Sequence, residues 1–191
     1  MLYLASKSPR RQELLAQIGL DYRLVDVAVD ETPQPGESPP AFVRRVALAK
    51  ARAGHVTHPD HVVLGADTAI VVGKEILGKP RDRADAVEML SRLSGQTHRV
   101  LTGVAIVSAT GERYRLSDSR VSLRAIGTAE ALAYWESGEP ADKAGAYAIQ
   151  GLGAVFVKHL SGSYSGVVGL PLFETAALLG ELGLGPARIA R

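Results

Sequence analysis

The chain contains no cysteine. That absence removes disulfides, thiolate zinc sites, iron–sulfur clusters and cysteine nucleophiles. It also lacks a charge excess: 22 Lys and Arg stand against 20 Asp and Glu, a formal net charge of +2, and aromatic residues make up only 5%. Nucleic-acid modules work through a basic stripe and stacking aromatics, so no nucleic-acid partner is expected. No apolar run reaches the roughly 18 residues that a membrane span needs. The opening Met1-Leu2-Tyr3-Leu4-Ala5-Ser6-Lys7 has no signal-peptide apolar region. No membrane partner is therefore expected, and a cytoplasmic location follows by default. What is present is ordinary globular composition, 46% hydrophobic and 22% charged over 191 residues. That length suits one domain, residues 1–191, with a core large enough to hold a cleft.

Apolar periodicity predicts a short buried strand at Leu2 to Ala5, then a helix with Ser8 as N-cap, Pro9 in its first turn and Gly19 at its end. A second strand is predicted from Tyr22 to Val29, a four-proline loop from Thr32 to Pro40, and a helix from Pro40 to Ala53. Val62 to Val72 is apolar and β-branched, broken only by Gly65-Ala66-Asp67-Thr68, with a hairpin return over Lys74 to Leu77. A helix over Asp82 to Leu93 precedes two long strands, Val100 to Val107 and Arg113 to Ala125, joined by Ala109-Thr110-Gly111. A helix capped by Thr128, a strand at Ala154 to His159, a helix at Pro171 to Leu182 and a mobile tail over residues 184–191 complete the chain. Strands alternate with helices but hairpins intervene, which predicts an α/β fold with a mixed central sheet and helices on both faces.

Several familiar patterns fail. Gly73-Lys74 is followed by Glu75 and lacks the Walker A spacing, and Gly151-Leu152-Gly153 lacks the third glycine of a dinucleotide fingerprint. Gly162-Ser163-Tyr164-Ser165-Gly166 has Tyr where a nucleophile elbow needs Ser. His55, His58 and His61 recur every third residue, but beside Pro59 and Asp60 they read as a polar turn rather than a metal site.

Four polar clusters interrupt apolar segments. Ser6-Lys7-Ser8-Pro9-Arg10-Arg11 joins a strand end to a helix start. Cations in a first turn oppose the helix dipole, and a bound phosphate would relieve that conflict; the plainer alternative is a solvated turn. Asp67-Thr68 lies between two apolar runs, where an acid is costly to bury unpaired. It needs a cation, a metal or a cleft, unless it is a structural Asp capped by backbone N–H groups. Lys79, in Gly78-Lys79-Pro80, offers a point charge to a phosphate or is an exposed loop lysine. Gly145 to Gly153 is an apolar loop with flanking glycines, and its Gln150 presents a paired donor and acceptor suited to a nucleobase edge or to internal satisfaction. Glu31, at the end of the second strand, is a candidate metal carboxylate, and Lys50 lies on the helix that follows.

Taken in order, these clusters resemble the motifs of the Maf family: Leu4 to Arg11; Gly65 to Thr68 with Gly78-Lys79-Pro80; Asp142-Lys143-Ala144-Gly145-Ala146-Tyr147 through Gln150-Gly151-Leu152-Gly153; and Gly162 to Pro171. The resemblance runs from Tyr3 to about Leu182. It implies two lobes around a cleft, a fold similar to inosine triphosphate pyrophosphatases, and a house-cleaning hydrolase acting in nucleotide metabolism. The expected reaction is hydrolysis between the α- and β-phosphates of a nucleoside triphosphate, aided by Mg²⁺ or Mn²⁺. A homodimer is suggested by the resemblance alone. Asp67 matches the family's catalytic acid, and Arg10, Thr68 and Gln150 match positions that mark the dTTP/UTP branch. The 7-methyl-GTP branch would show a Glu near Gln150 and an Asn-Thr in the last motif, and this chain has neither. Lys7 departs from the small residue often found there. The mechanism expected on this basis gives the metal to Glu31 and Asp67. The triphosphate goes to Arg10, Arg11, Lys50 and Lys79, with hydrogen bonds from Ser6 and Ser8, and the pyrimidine edge to Thr68 and Gln150. The rivals are a purine (inosine or xanthosine) triphosphate pyrophosphatase on the same fold and a nucleotide-sensing regulator of cell division.

Overall fold

A computed structural model of the chain describes residues 1–185. The elements follow in the order β1 (Leu2–Leu4), α1 (Pro9–Gln17), β2 (Tyr22–Leu24), α2 (Pro39–Thr57), β3 (Val62–Val72), β4 (Glu75–Leu77), α3 (Arg83–Leu93), β5 (Thr97–Ser108), β6 (Gly111–Leu123), α4 (Thr128–Glu136), β7 (Val157–Ser161), α5 (Tyr164–Val168) and α6 (Leu172–Gly180). Short 3₁₀ turns at Glu139–Asp142, Ala144–Ala146 and Leu152–Phe156 fill the segment between α4 and β7.

The seven strands form one sheet in the order β2-β1-β3-β5-β6-β7, with β4 also paired to β3. β1 runs parallel to β2 and β3; the remaining pairs are antiparallel. β3 pairs with β5 along Val63 to Val71, which fills one of its edges. A strand has two edges, so β1 and β4 must share the other. β1 takes Val62, Val63 and Leu64, and β4 takes Ile70, Val71 and Val72. Among the described residues, the stretch from Gly65 to Ala69 has no strand on that side. The sheet is open where the sequence places Asp67-Thr68.

Strand periodicity sorts the core. Leu64 and Ala66 of β3, with Val104 and Ile106 of β5, pack against Leu14 and Leu15 of α1 and Leu178 and Leu179 of α6. Ile70 and Val100 on the same face meet Leu90 and Leu93 of α3 and Ala131 and Tyr134 of α4. The opposite face is covered by α2, whose Phe42, Val43 and Val46 pack on Ala69, Val71 and Leu101. Helices therefore lie on both faces of a mixed sheet, as the alternation predicts.

The differences from expectation have local causes. β2 stops at Leu24 rather than Val29, because β1 ends at Leu4 and offers one further bond, Val25 N–H to the Leu4 carbonyl at 3.1 Å. Beyond it the alternating valines Val27 and Val29 line the cleft instead of a neighbouring strand. α2 continues past Ala53 to Thr57, since Gly54 is buried on its packed face and packing outweighs the weak helix propensity of glycine. His55 is therefore helical, and the rings of His58 and His61 lie 4.0 and 5.3 Å from that of Tyr3, which gives them a packing role. β3 is continuous through Gly65 to Thr68. β7 begins at Val157, because Ala154 to Phe156 complete a 3₁₀ turn. α5 was not anticipated: its five residues are too few to show a period. Of the expected tail, Leu184 packs against the α1–α6 side of the core, and residues 186–191 lie outside the described residues.

Candidate active site

Asp67 is an odd-numbered β3 residue and so faces α2. That helix approaches the sheet closely because Gly65 has no side chain: a Cβ there would come within 2.4 Å of the Ala47 carbonyl and 2.7 Å of the Ala51 amide. The close approach brings Lys50 over the strand. Its ammonium lies 2.9 Å from Asp67 Oδ1 and 3.1 Å from Glu31 Oε1. Asp67 and Lys50 are both buried, with relative exposures of 5% and 8%, whereas the Glu31 side chain is 57% exposed. Burial pushes the Asp67 carboxyl above its ordinary value of 3.8, against the opposing pull of Lys50 and Arg11. The acid is thus desolvated, held by one cation, and part of a cavity lining.

Thr68 faces the other side of β3 and meets α1. Arg11 donates from Nε to the Gly169 carbonyl at 2.8 Å, from Nη1 to Ser6 Oγ at 3.3 Å and from Nη2 to Thr68 Oγ1 at 3.3 Å. Thr68 also exchanges a bond with Thr102 at 3.0 Å, and Thr102 donates to the Gly166 carbonyl at 2.7 Å. Arg11 therefore ties together the first, second and last of the motifs read from the sequence. A guanidinium carries five donors, so part of its capacity is spent on protein acceptors and part remains for an anion. Burial lowers the Arg11 pKa from its ordinary value, countered by Asp67 and Glu31; a guanidinium stays charged nonetheless. Ser8 stands at the α1 N-cap without a side-chain capping bond, while its amide donates to Ser6 Oγ at 3.2 Å. The hydroxyl of Ser8 is not consumed by the helix it precedes.

Every residue singled out from the sequence lines one cavity of about 580 Å³: Ser6, Ser8, Arg10, Arg11, Glu31, Lys50, Asp67, Thr68, Lys79 and Gln150. Lys50 and Glu31 gather at Asp67, and an apolar wall of Val27, Val29, Ile149 and Val167 belongs to the same lining. Lys79 and Gln150 are exposed side chains on its rim. Asp142 and Lys143 also line the cavity, and neither had a role assigned from the sequence. Asp142 lies 3.9 Å from Arg10 and pairs with Lys143, whose side chain is 14% exposed. Burial alone would raise the Asp142 pKa, but Lys143 and Arg10 bring it below 3.8. As an adjacent acid–base pair before a small-residue run, Asp142-Lys143 has no charge pattern that separates it from ordinary loop charge, and only its place in the third motif marks it.

Among the described residues, no group of three or more His, Cys, Asp or Glu gathers as a metal cluster. Glu31 and Asp67 nevertheless converge on one cationic point, occupied by the Lys50 ammonium. Two carboxylates beside a polar cleft fit a Mg²⁺-type ion, which takes one or two carboxylates and completes its shell with water and phosphate oxygens. No helix among the described residues is long and apolar enough to cross a membrane.

The family model described as Maf-like protein matches residues 1–182. A protein of Alkalilimnicola ehrlichii named dTTP/UTP pyrophosphatase is 57% identical over 186 residues, covering 94% of this chain and 92% of its own. Proteins of the same name from Saccharophagus degradans and Dechloromonas aromatica are 55% and 54% identical, covering 93% and 97% of this chain and 87% and 98% of their own. Among solved structures, the Staphylococcus aureus Ham1 protein aligns over 64% of this chain and 71% of its own, with 14% identity and a TM-score of 0.48.

Proposed function

This chain belongs to the Maf-like protein family, and from that premise we propose that it hydrolyses pyrimidine nucleoside triphosphates, dTTP and UTP with modified forms within reach, to the monophosphate and pyrophosphate. The observation that supports this reading is the convergence of a buried, desolvated acid with several cations in one cleft large enough for a nucleotide. Such a triphosphate carries about four negative charges at neutral pH, and displacement at phosphorus requires that they be held and neutralised. Arg10, Lys50, Lys79 and the free donors of Arg11 meet that need, with Ser6 and Ser8 as hydroxyl partners.

Asp67 acts as the general base. Burial raises its pKa, which gives it a proton affinity above that of an ordinary carboxylate. It takes a proton from water as the water oxygen bonds to the α-phosphorus. The bond from that phosphorus to the oxygen bridging to the β-phosphate breaks, and pyrophosphate leaves with the electron pair. Glu31 and Asp67 would hold a divalent ion, Mg²⁺ or Mn²⁺, which supplies charge neutralisation and polarises phosphate oxygens when bound. Gln150 reads the base: an amide matches a donor–acceptor pair on a uracil-type edge, and a base of the wrong pattern leaves a polar group unpaired. Thr68, whose hydroxyl is bonded to Arg11 and Thr102, is the second residue assigned to the base edge. The agreement in name of three relatives above half identity supports the pyrimidine preference.

The test is pyrophosphate release by the purified protein with Mg²⁺ or Mn²⁺ over pyrimidine and purine triphosphates. Turnover of dTTP and UTP with little from purines is expected. Strong purine turnover would overturn the roles of Thr68 and Gln150. Absence of turnover from folded protein that still binds nucleotides would favour a regulatory role.

A further inference from the structure

Gln150 sits on a loop that has no sheet or helix to hold it, and a base reader on a slack loop discriminates poorly. The backbone on both sides of Gln150 is nevertheless pinned to two side chains that the mechanism does not use. Glu139 Oε1 accepts from the Gly153 amide at 2.9 Å and from the Tyr134 hydroxyl at 2.6 Å, and its Oε2 accepts from the Leu152 amide at 2.8 Å. The Tyr134 hydroxyl in turn accepts from the Ala148 amide at 3.1 Å. Tyr134 is fixed in the α3–α4 core against Phe156. Amides before and after Gln150 thus converge on one carboxylate–phenol pair.

The glycines beside Gln150 fit the same purpose. Gly151 has φ +118°, a conformation that side chains rarely adopt, and a Cβ there would lie 2.4 Å from Glu139 Oε2. A Cβ on Gly153 would lie 2.5 Å from the Tyr134 hydroxyl. The chain wraps the carboxylate at Gly151 and the phenol at Gly153 so closely that a side chain at either point would displace them. The carboxylate itself is kept ionised: burial would raise its pKa, but the Tyr134 hydroxyl and the Gly153 and Leu152 amides outweigh it and hold it below 4.5.

We infer that Glu139 and Tyr134 are positioning residues that set the base specificity of the cleft by clamping the Ala148–Gly153 backbone and thereby the aim of Gln150. This inference rests on the pyrimidine-reading role proposed above. The clamp touches the loop and not the phosphates, so it separates base recognition from triphosphate binding.

The experiment compares wild type with Glu139→Gln, which keeps size but turns one acceptor into a donor facing the Leu152 or Gly153 amide. It measures KM and kcat for dTTP and dATP, inhibition by tripolyphosphate, which carries phosphates without a base, and amide exchange at Leu152 and Gly153. Loss of one buried acceptor is expected to raise the dTTP KM by about tenfold. The preference over dATP should shrink by a similar factor, with faster exchange at both amides and unchanged tripolyphosphate inhibition. Unchanged KM and preference would overturn the inference. So would a loss of tripolyphosphate inhibition as large as the rise in KM, since that marks a general collapse of the site. If Glu139→Gln does not fold, Tyr134→Phe is read by the same measurements, with the Ala148 amide as the exchange probe. If wild type turns over no nucleotide, the base-reading role falls, and amide exchange alone decides the clamp: acceleration in the variant supports it, and wild-type rates overturn it.

Discussion

Asp67 illustrates how one side chain acquires a function from its surroundings. Alone it is a common carboxylate; on β3 it is almost fully buried, with Lys50 at 2.9 Å and Glu31 sharing the same ammonium. If it is the general base, activity requires its ionised form. The pH profile of kcat/KM, which reports the free enzyme, should therefore fall on the acid side as this carboxylate takes up a proton. Asp67→Asn should remove that limb and reduce kcat by roughly two to four orders of magnitude, the usual worth of a general base, with an unchanged circular dichroism spectrum. Near-normal turnover by this variant would take Asp67 out of the chemistry. The importance of Asp67 was legible in the sequence, because an acid between Val62-Val63-Leu64 and Ile70-Val71-Val72 demands a partner. That the partner is Lys50 was not legible, since nothing in spacing pairs a helix residue with a strand residue 17 positions away.

Among the elements, β3 and α2 decide the site. The strand was evident from its β-branched run, and its break at Gly65 to Thr68 turned out to be no break in the strand but a gap in what pairs with it. Gly65 serves as a point of close approach for α2. Gly65→Ala would force a Cβ into the backbone of Ala47 and Ala51. Overpacking of this kind costs about 1–3 kcal/mol, so a lower urea midpoint with an unchanged slope is expected. Activity should fall as well, because any retreat of α2 carries Lys50 away from Asp67. A Gly65→Ala protein as stable and active as wild type would show that α2 has room to spare. The shortened β2 and the unpredicted α5 teach the complementary lesson. Val25, Val27 and Val29 alternate as a strand should, but alternation records a buried side and says nothing of which surface buries it; here, beyond Leu24, it is the cleft wall.

Over the whole molecule, acid stability offers a test independent of catalysis. His98 of β5 is 3% exposed, with Nε2 2.8 Å from the Tyr147 hydroxyl, and burial lowers its pKa from 6.5 to about 4. A depressed imidazole contributes stability that is fully present above pH 6.5 and is lost as pH falls toward about 4. A shift of that size corresponds to about 3 kcal/mol. Asp67 works in the opposite direction, since its raised pKa makes the folded state the better proton binder above pH 3.8. The difference between wild type and His98→Gln isolates the imidazole: chemical denaturation over this window should show a flatter loss for the variant, and parallel curves would refute the assignment. The amino-acid sequence by itself determined the mixed α/β class, nearly every element, and the membership of the polar set, because periodicity, turn residues and acids placed among apolar neighbours are local signals. Only the tertiary structure decided how that set works together. β1 and β4 divide one edge of β3 and leave Asp67-Thr68 uncovered, Arg11 commits part of its donors to Gly169, Ser6 and Thr68, and Glu139 with Tyr134 grips the loop of Gln150. Each of these joins residues far apart in the chain through edges, donors and close contacts, and such pairings exist only once the packing has brought the segments together.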